Sequence, residues 1–303
     1  MTTDTILIEK REELKRRLTA GEYKTLVDVF LAWINRLIQK ITRQTNPLPL
    51  WLMTVFLSLV INLITFAALY ITGDLTNFRN LAETFGLGYG LGVLPMTLLV
   101  VIDIASVIVY NQSIHTIIVL WRDDILDATE SVTSLLEFED WLEKACNRRL
   151  HFLVTIFVGL LFSLFMMASV STVLGVFLGY GYTFGIIIPN MFGAAFFYQL
   201  SMGILLPIML RRYNLKLFAA DPATSELLSR LSGKLSFFVY FISFYATYIT
   251  LVNFAMGTSQ SAGIGITLVL FFWLPIIAMF ALNQTSLSSL VRRAKWKTLN
   301  EIQ

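Results

Sequence analysis

A single cysteine, Cys146, and two histidines, His115 and His151, leave this sequence almost bare of metal- and redox-active side chains. One cysteine excludes an internal disulfide framework and any multi-cysteine metal site. No His-Glu-x-x-His, Gly-x-Ser-x-Gly or phosphate-binding loop occurs, so nothing selects an enzyme class, and no cofactor or metal is expected. Charge is scarce too, at 14% of residues, and it is nearly missing from six long runs. No secretory leader is expected, because the first of those runs begins near residue 50, behind a charged stretch.

What fills the runs is apolar: 56% of the chain is hydrophobic and its mean hydropathy is +0.70. A helix crosses a bilayer with about 20 apolar residues, each adding about 1.5 Å across about 30 Å of hydrocarbon. Six segments qualify: 50–72, 91–119, 151–178, 184–210, 235–256 and 262–283. The second exceeds a straight crossing, so it should tilt or project. The fold class expected is an all-α integral membrane protein of six transmembrane helices with amphipathic cytoplasmic or interfacial helices.

Of the 23 lysines and arginines, 22 lie on alternate connections: nine in 1–49, four in 122–150, five in 211–234 and four in 284–303. Only Arg79 falls on the other set. Basic residues stay cytoplasmic, which predicts both termini inside, in a plasma or inner membrane. The eight acids of 122–150 hold the net charge to +3 but count little for orientation. The domain plan is therefore an N-terminal helical segment at 1–49, a six-helix membrane domain at 50–283 and a basic tail at 284–303.

The N-terminal segment should hold two helices split at Ala20-Gly21. The second, about 22–45, is amphipathic: Leu26, Phe30, Trp33, Leu37 and Ile41 are expected on one face, with Phe30 and Trp33 anchoring it in the inner interface. Pro47 and Pro49 end it. A further helix should begin at Ser134, where Ser134 and Glu137 have capping-box spacing, with acids early and Lys144, Arg148 and Arg149 late. Asp123, Asp124 and Asp127 lack the glycine and closing glutamate of a calcium loop, so they read as a solvated face. Asp221-Pro222 suggests a helix start running past Gly233 into the fifth span. The tail, with Trp296 among Arg292, Arg293, Lys295 and Lys297, reads as a basic interfacial helix drawn to anionic lipid, not to nucleic acid. A cytoplasmic helix before each spanning pair hints at a threefold repeat. The Pro-x-Asp/Glu-x-x-Lys/Arg signature of mitochondrial carriers is absent from the spans.

The candidate functional residues are polar groups inside the runs. Asp103 is the one acid there, and with Ser106, Tyr110 and Ser113 it makes a single helical stripe, a candidate ion site or a helix-joining hydrogen bond. Ser236, Tyr240, Ser243, Thr247 and Thr250 form a second stripe, and Thr54, Ser58, Asn62, Thr65 and Thr72 a third. Such residues pack helices closely or line a hydrated path. Leu-Gly-Tyr-Gly at 87–90 and 178–181 lacks the Thr-Val of a potassium filter and reads as interfacial turns. Pro95, Pro189, Pro207 and Pro275 allow kinks. Both histidines fall near the inner boundary, where interfacial placement is preferred to haem ligation. These readings lead to a non-enzymatic, channel-like homo-oligomer. The alternatives are a secondary transporter using Asp103 and an anchoring or sensor subunit of a larger complex.

Overall fold

The computed structural model describes residues 3–43, 46–71, 89–174, 180–217, 225–255 and 262–302. Its elements there are helices: α1 (Thr3–Thr19), α2 (Leu26–Thr42), α3 (Leu50–Ile71), α4 (Tyr89–Leu120), a π-helical turn (Trp121–Ile125), α5 (Val132–Ala145), α6 (Arg148–Leu174), α7 (Tyr180–Leu210), α8 (Glu226–Ala255) and α9 (Ala262–Ile302). The one β contact among these residues is an isolated bridge, Thr129 to Leu215. Five of the helices are long and apolar enough to cross a membrane, or up to six if α5 and α6, bent by 48° at Cys146-Asn147, count as a broken span.

The apolar runs at 50–72, 91–119, 151–178 and 184–210 coincide closely with α3, α4, α6 and α7, whereas α8 begins nine residues before its run and α9 continues 19 residues past its own. α7 is the hub, packing against α3, α4, α5, α6, α8 and α9. In the membrane-length segments of α4 and α7, 61% and 67% of residues are buried, against 22%, 28% and 28% in α3, α8 and α9. α4 and α7 therefore form the core and the other three the rim.

Four basic stretches meet at one end of the bundle. Arg11 donates to the Thr129 carbonyl at 2.7 Å, Lys15 pairs with Asp127 at 3.1 Å and Arg17 pairs with Glu139. Lys297 reaches Glu130 at 2.6 Å, Arg230 reaches Asp124 at 2.9 Å, and Arg293 donates to the carbonyls of Leu210 and Arg211. Pairs this exposed add little stability each, about 0–1 kcal/mol. The firmer tie is an aromatic core beneath them. Trp121 stacks on Phe138 at 4.7 Å, Tyr213 meets Trp121 edge-on, and the Trp141 indole donates to the Met202 carbonyl at 3.0 Å.

Several boundaries differ from expectation. α5 begins at Val132, capped by Ser131, whose hydroxyl accepts from Ser134 N–H at 3.1 Å. Ser134 is not the cap: it is fully buried and accepts from the Asn214 N–H at 2.9 Å. With the start moved back, the first turn of α5 holds no acid, so the expected dipole pairing at that end is lost. The basic tail is not a separate helix. α9 runs unbroken through Pro275 to Ile302, 41 residues or about 61 Å. α8 does run past Gly233, but Asp221-Pro222 lies outside the described residues, as do Thr72, Arg79 and both Leu-Gly-Tyr-Gly turns apart from backbone at their helical ends.

α2 shows the largest correction. Thr25 caps it, accepting from Asp28 N–H while the Asp28 carboxylate accepts from Thr25 N–H at 2.8 Å, a complete capping box. Its buried face is Val27, Leu31, Ile34 and Ile38. Leu26, Phe30, Trp33, Leu37 and Ile41 do share a face, with the Phe30 ring stacked on Trp33 at 6.4 Å, but it is not the face that packs. Trp33 and Ile41 point outward at 55% and 72% exposure, whereas Phe30 packs edge-on against Phe192 of α7. The helix has two apolar faces, and the one that packs on protein carries the aspartate.

Candidate functional site

Two groupings of buried polar side chains join helices around the candidate residues. The first is a cluster joining α2 to α4 and α7, built on Asp28. Its carboxylate accepts from the Asn111 amide at 2.7 Å and contacts the His115 Nε2 at 2.8 and 2.9 Å, besides capping its own helix. Asn111 Oδ1 in turn accepts from the Thr25 hydroxyl at 2.7 Å and the Gln199 amide at 3.3 Å. Asn111 and His115 are four apart and so share one face of α4, directed at α2. Burial alone would raise the Asp28 carboxyl; the hydrogen bonds and charge supplied by His115, with those from Asn111 and Thr25, outweigh it and hold the group below its ordinary range. Nothing in the sequence links residues 83 to 88 positions apart. The only usable signal was the capping-box spacing of Thr25 and Asp28.

The second place is Asp103. It is 5% exposed, and its Oδ1 accepts from the Tyr245 hydroxyl of α8 at 2.7 Å. Ser106 and Tyr110 of the same stripe are buried as well. The Tyr110 ring lies between Phe196 and Phe238, at 5.5 and 4.7 Å, and its hydroxyl has no hydrogen-bond partner among the described residues. That hydroxyl sits where a Cβ on Gly203 would be, so glycine at 203 is what lets α4 approach α7. Ser113 spends its hydroxyl on the Val109 carbonyl.

The other stripes do not join this one. On α8, Tyr240 is 73% exposed, Thr247 is exposed, and Ser236, Ser243 and Thr250 are half-buried. Ser243 and Thr247 donate to carbonyls of their own helix, and Thr250 also accepts from the Trp273 indole of α9 at 3.3 Å. The stripe thus faces away from Asp103, whose partner Tyr245 lies on the opposite side of α8. On α3, Thr54 and Ser58 donate to carbonyls one turn back, and the Asn62 amide does the same. Trp296 stands exposed on the far end of α9. The three aspartates at 123, 124 and 127 pair with Arg122, Arg230 and Lys15, and no group of three metal-binding side chains occurs among the described residues.

Cys146 closes α5 at the bend. Burial first, and then the charge of Asp28, push its thiol up to about 12. A thiol so protonated is a poor nucleophile at neutral pH.

Comparison of the chain with protein-family models, with curated proteins and with solved structures found no match in any of the three. The class defined by the fold is an all-helical protein whose long helices are compatible with a membrane.

Proposed function

We propose that this chain is a non-enzymatic membrane protein of six spans, with both termini cytoplasmic, that assembles with copies of itself into a channel-like oligomer. The observation that carries the reading is the outward polar stripe of α8. Tyr240 and Thr247 stand on the surface of the protomer, flanked by half-buried Ser236, Ser243 and Thr250. In hydrocarbon such a stripe gains nothing, whereas between helices hydroxyls allow close packing and cross-helix hydrogen bonds. The interior polar groups support the same division of labour. Asp103 is bonded to Tyr245, and Tyr110 is wedged among phenylalanines, so they join helices within a protomer. A polar route then belongs between copies, along α8.

A secondary transporter would instead place its ion at Asp103, the one Asp or Glu buried among the described residues. An anchoring subunit would use the basic end, where α1, α5 and α9 meet. The deciding experiment is assembly mass in lipid nanodiscs together with ion flux from liposomes. A homo-oligomer with non-saturating flux supports the proposal. Saturating flux from a monomer supports the transporter, and absence of flux supports the subunit.

A further inference from the structure

On the membrane reading of the fold, α9 carries an exposed face that lipid does not reach. Along its spanning part the outward residues are Leu274, Ile277 and Phe280, and at Gln284, Thr285 and Ser288 they turn polar. The helix continues unbroken to Ile302, so its tail does not fold back onto the bilayer surface. Trp296 is 12 residues past Gln284. That is about 18 Å along the axis, whereas the headgroup layer adds about 5–8 Å on each side of the hydrocarbon. A tilt of about 40° still leaves about 14 Å. α7, at 31 residues, is also longer than a crossing, so Leu210, whose carbonyl Arg293 reaches, projects with the tail. Trp296 is nevertheless 62% exposed, with Leu299 exposed one turn on and Arg292 and Lys295 beside it.

α1 carries a second face of this kind, with acids in place of the bases. Ile8 is 58% exposed and Glu9 and Glu12 flank it, while Leu14 and Leu18 are buried on the other side of the helix. None of Glu9, Glu12, Arg292 and Lys295 takes part in an ion pair among the described residues. Along α1 the exposed stripe runs Thr5, Ile8, Glu9, Glu12 and Arg16. Along α9 in reverse it runs Leu299, Trp296, Lys295, Arg292 and Ser288, with the same spacings. Laid antiparallel, the two stripes set Ile8 against Trp296, Glu9 against Lys295 and Glu12 against Arg292, and Arg16 meets a neutral serine. The heights agree as well. Arg11 of α1 donates to the Thr129 carbonyl and Lys297 of α9 pairs with Glu130, the next residue, so both faces stand level with one short stretch of chain.

We propose that α1 of one copy docks antiparallel on the α9 tail of the next, through these two stripes. The inference rests on the self-assembly proposed above and names the cytoplasmic contact that joins the copies. Within one copy both stripes face outward, so their partner is a second chain. The two surfaces differ, which makes the contact heterologous, and level faces on copies standing side by side in a membrane let such contacts close into a ring. Trp and Arg are the side chains that most often anchor an interface, and the facing charges fix its register.

The test is oxidative cross-linking of the full-length protein in liposomes, with the wild type, which carries only Cys146, as the control. An equimolar mixture of the Ile8→Cys and Trp296→Cys proteins should give a disulfide-linked dimer, and neither protein alone should. The doubly substituted protein should give a ladder of higher masses. Adding Glu9→Lys and Glu12→Lys to the first partner should abolish the dimer, as should adding Arg292→Glu and Lys295→Glu to the second. Combining the two reversed faces should restore it. No dimer from the mixture, while the same proteins assemble by mass in nanodiscs, overturns the proposal and leaves self-assembly standing; a monomer mass overturns both. A disulfide closing within one doubly substituted chain, or reversed faces that fail to restore the dimer, also overturns it.

Discussion

Replacing Asp28 with alanine should release α2 from the bundle while leaving the spans intact. The carboxylate is the shared acceptor for the Thr25 N–H, the Asn111 amide and the His115 ring. Asn111 is 3% exposed, so its orphaned amide bears most of the desolvation cost, about 1–3 kcal/mol. His115 is partly exposed, and water can replace its partner at small cost. Half of the α2 capping box goes with the carboxylate, and loss of a cap costs about 0.5–2 kcal/mol. Together these come to about 1.5–5 kcal/mol on α2, or about 10- to 4,000-fold in its opening equilibrium at ~1.4 kcal/mol per tenfold. Amide hydrogen exchange across Leu26–Thr42 reads that equilibrium directly. Exchange should rise by that factor in Asp28→Ala, with α4 and α7 unaffected. The pH dependence has a definite sign. A carboxyl held below its ordinary range stabilises the folded state above that range and loses the contribution as pH falls through its folded value. Protection of α2 should therefore collapse below about pH 4. Exchange in Asp28→Ala within about threefold of wild type would refute the reasoning.

Two other expectations are independent of the first. Single cysteines near residues 75–80 should be labelled only from outside sealed vesicles and those at 223–225 only from inside; native Cys146, with its thiol at about 12, should contribute little background. Labelling of both sets from one side would overturn the topology. Asp103→Asn leaves an acceptor for the Tyr245 hydroxyl, so melting and flux should stay near wild type. Asp103→Leu removes the acceptor and should cost about 1–2 kcal/mol. Loss of flux in a stable Asn variant would favour the transporter.

The long helices were legible in the sequence because unbroken apolar runs of more than 20 residues admit few other readings. Their common basic end was legible from the alternation of lysine and arginine, and the contacts of Arg11, Arg230, Arg293 and Lys297 bring those stretches together. Face assignment within α2 was not legible. α2 has apolar residues on both its packed and its exposed face, and periodicity cannot say which packs inward. The cap of α5 was misread because Ser131 and Ser134 have equal propensity, and Asn214, 80 residues away, decides between them.

Single-channel recording tests the central claim most directly. Ser243→Cys places a thiol in the outward stripe of α8, and the protein is reconstituted into a planar bilayer and exposed to a charged thiol reagent. If copies meet along α8 around a polar route, unitary currents should appear and should fall stepwise as the introduced thiol of each copy is modified, while the wild-type protein should be indifferent to the reagent. Unitary currents identical before and after complete modification, or none from a correctly inserted wild-type protein, would contradict the account.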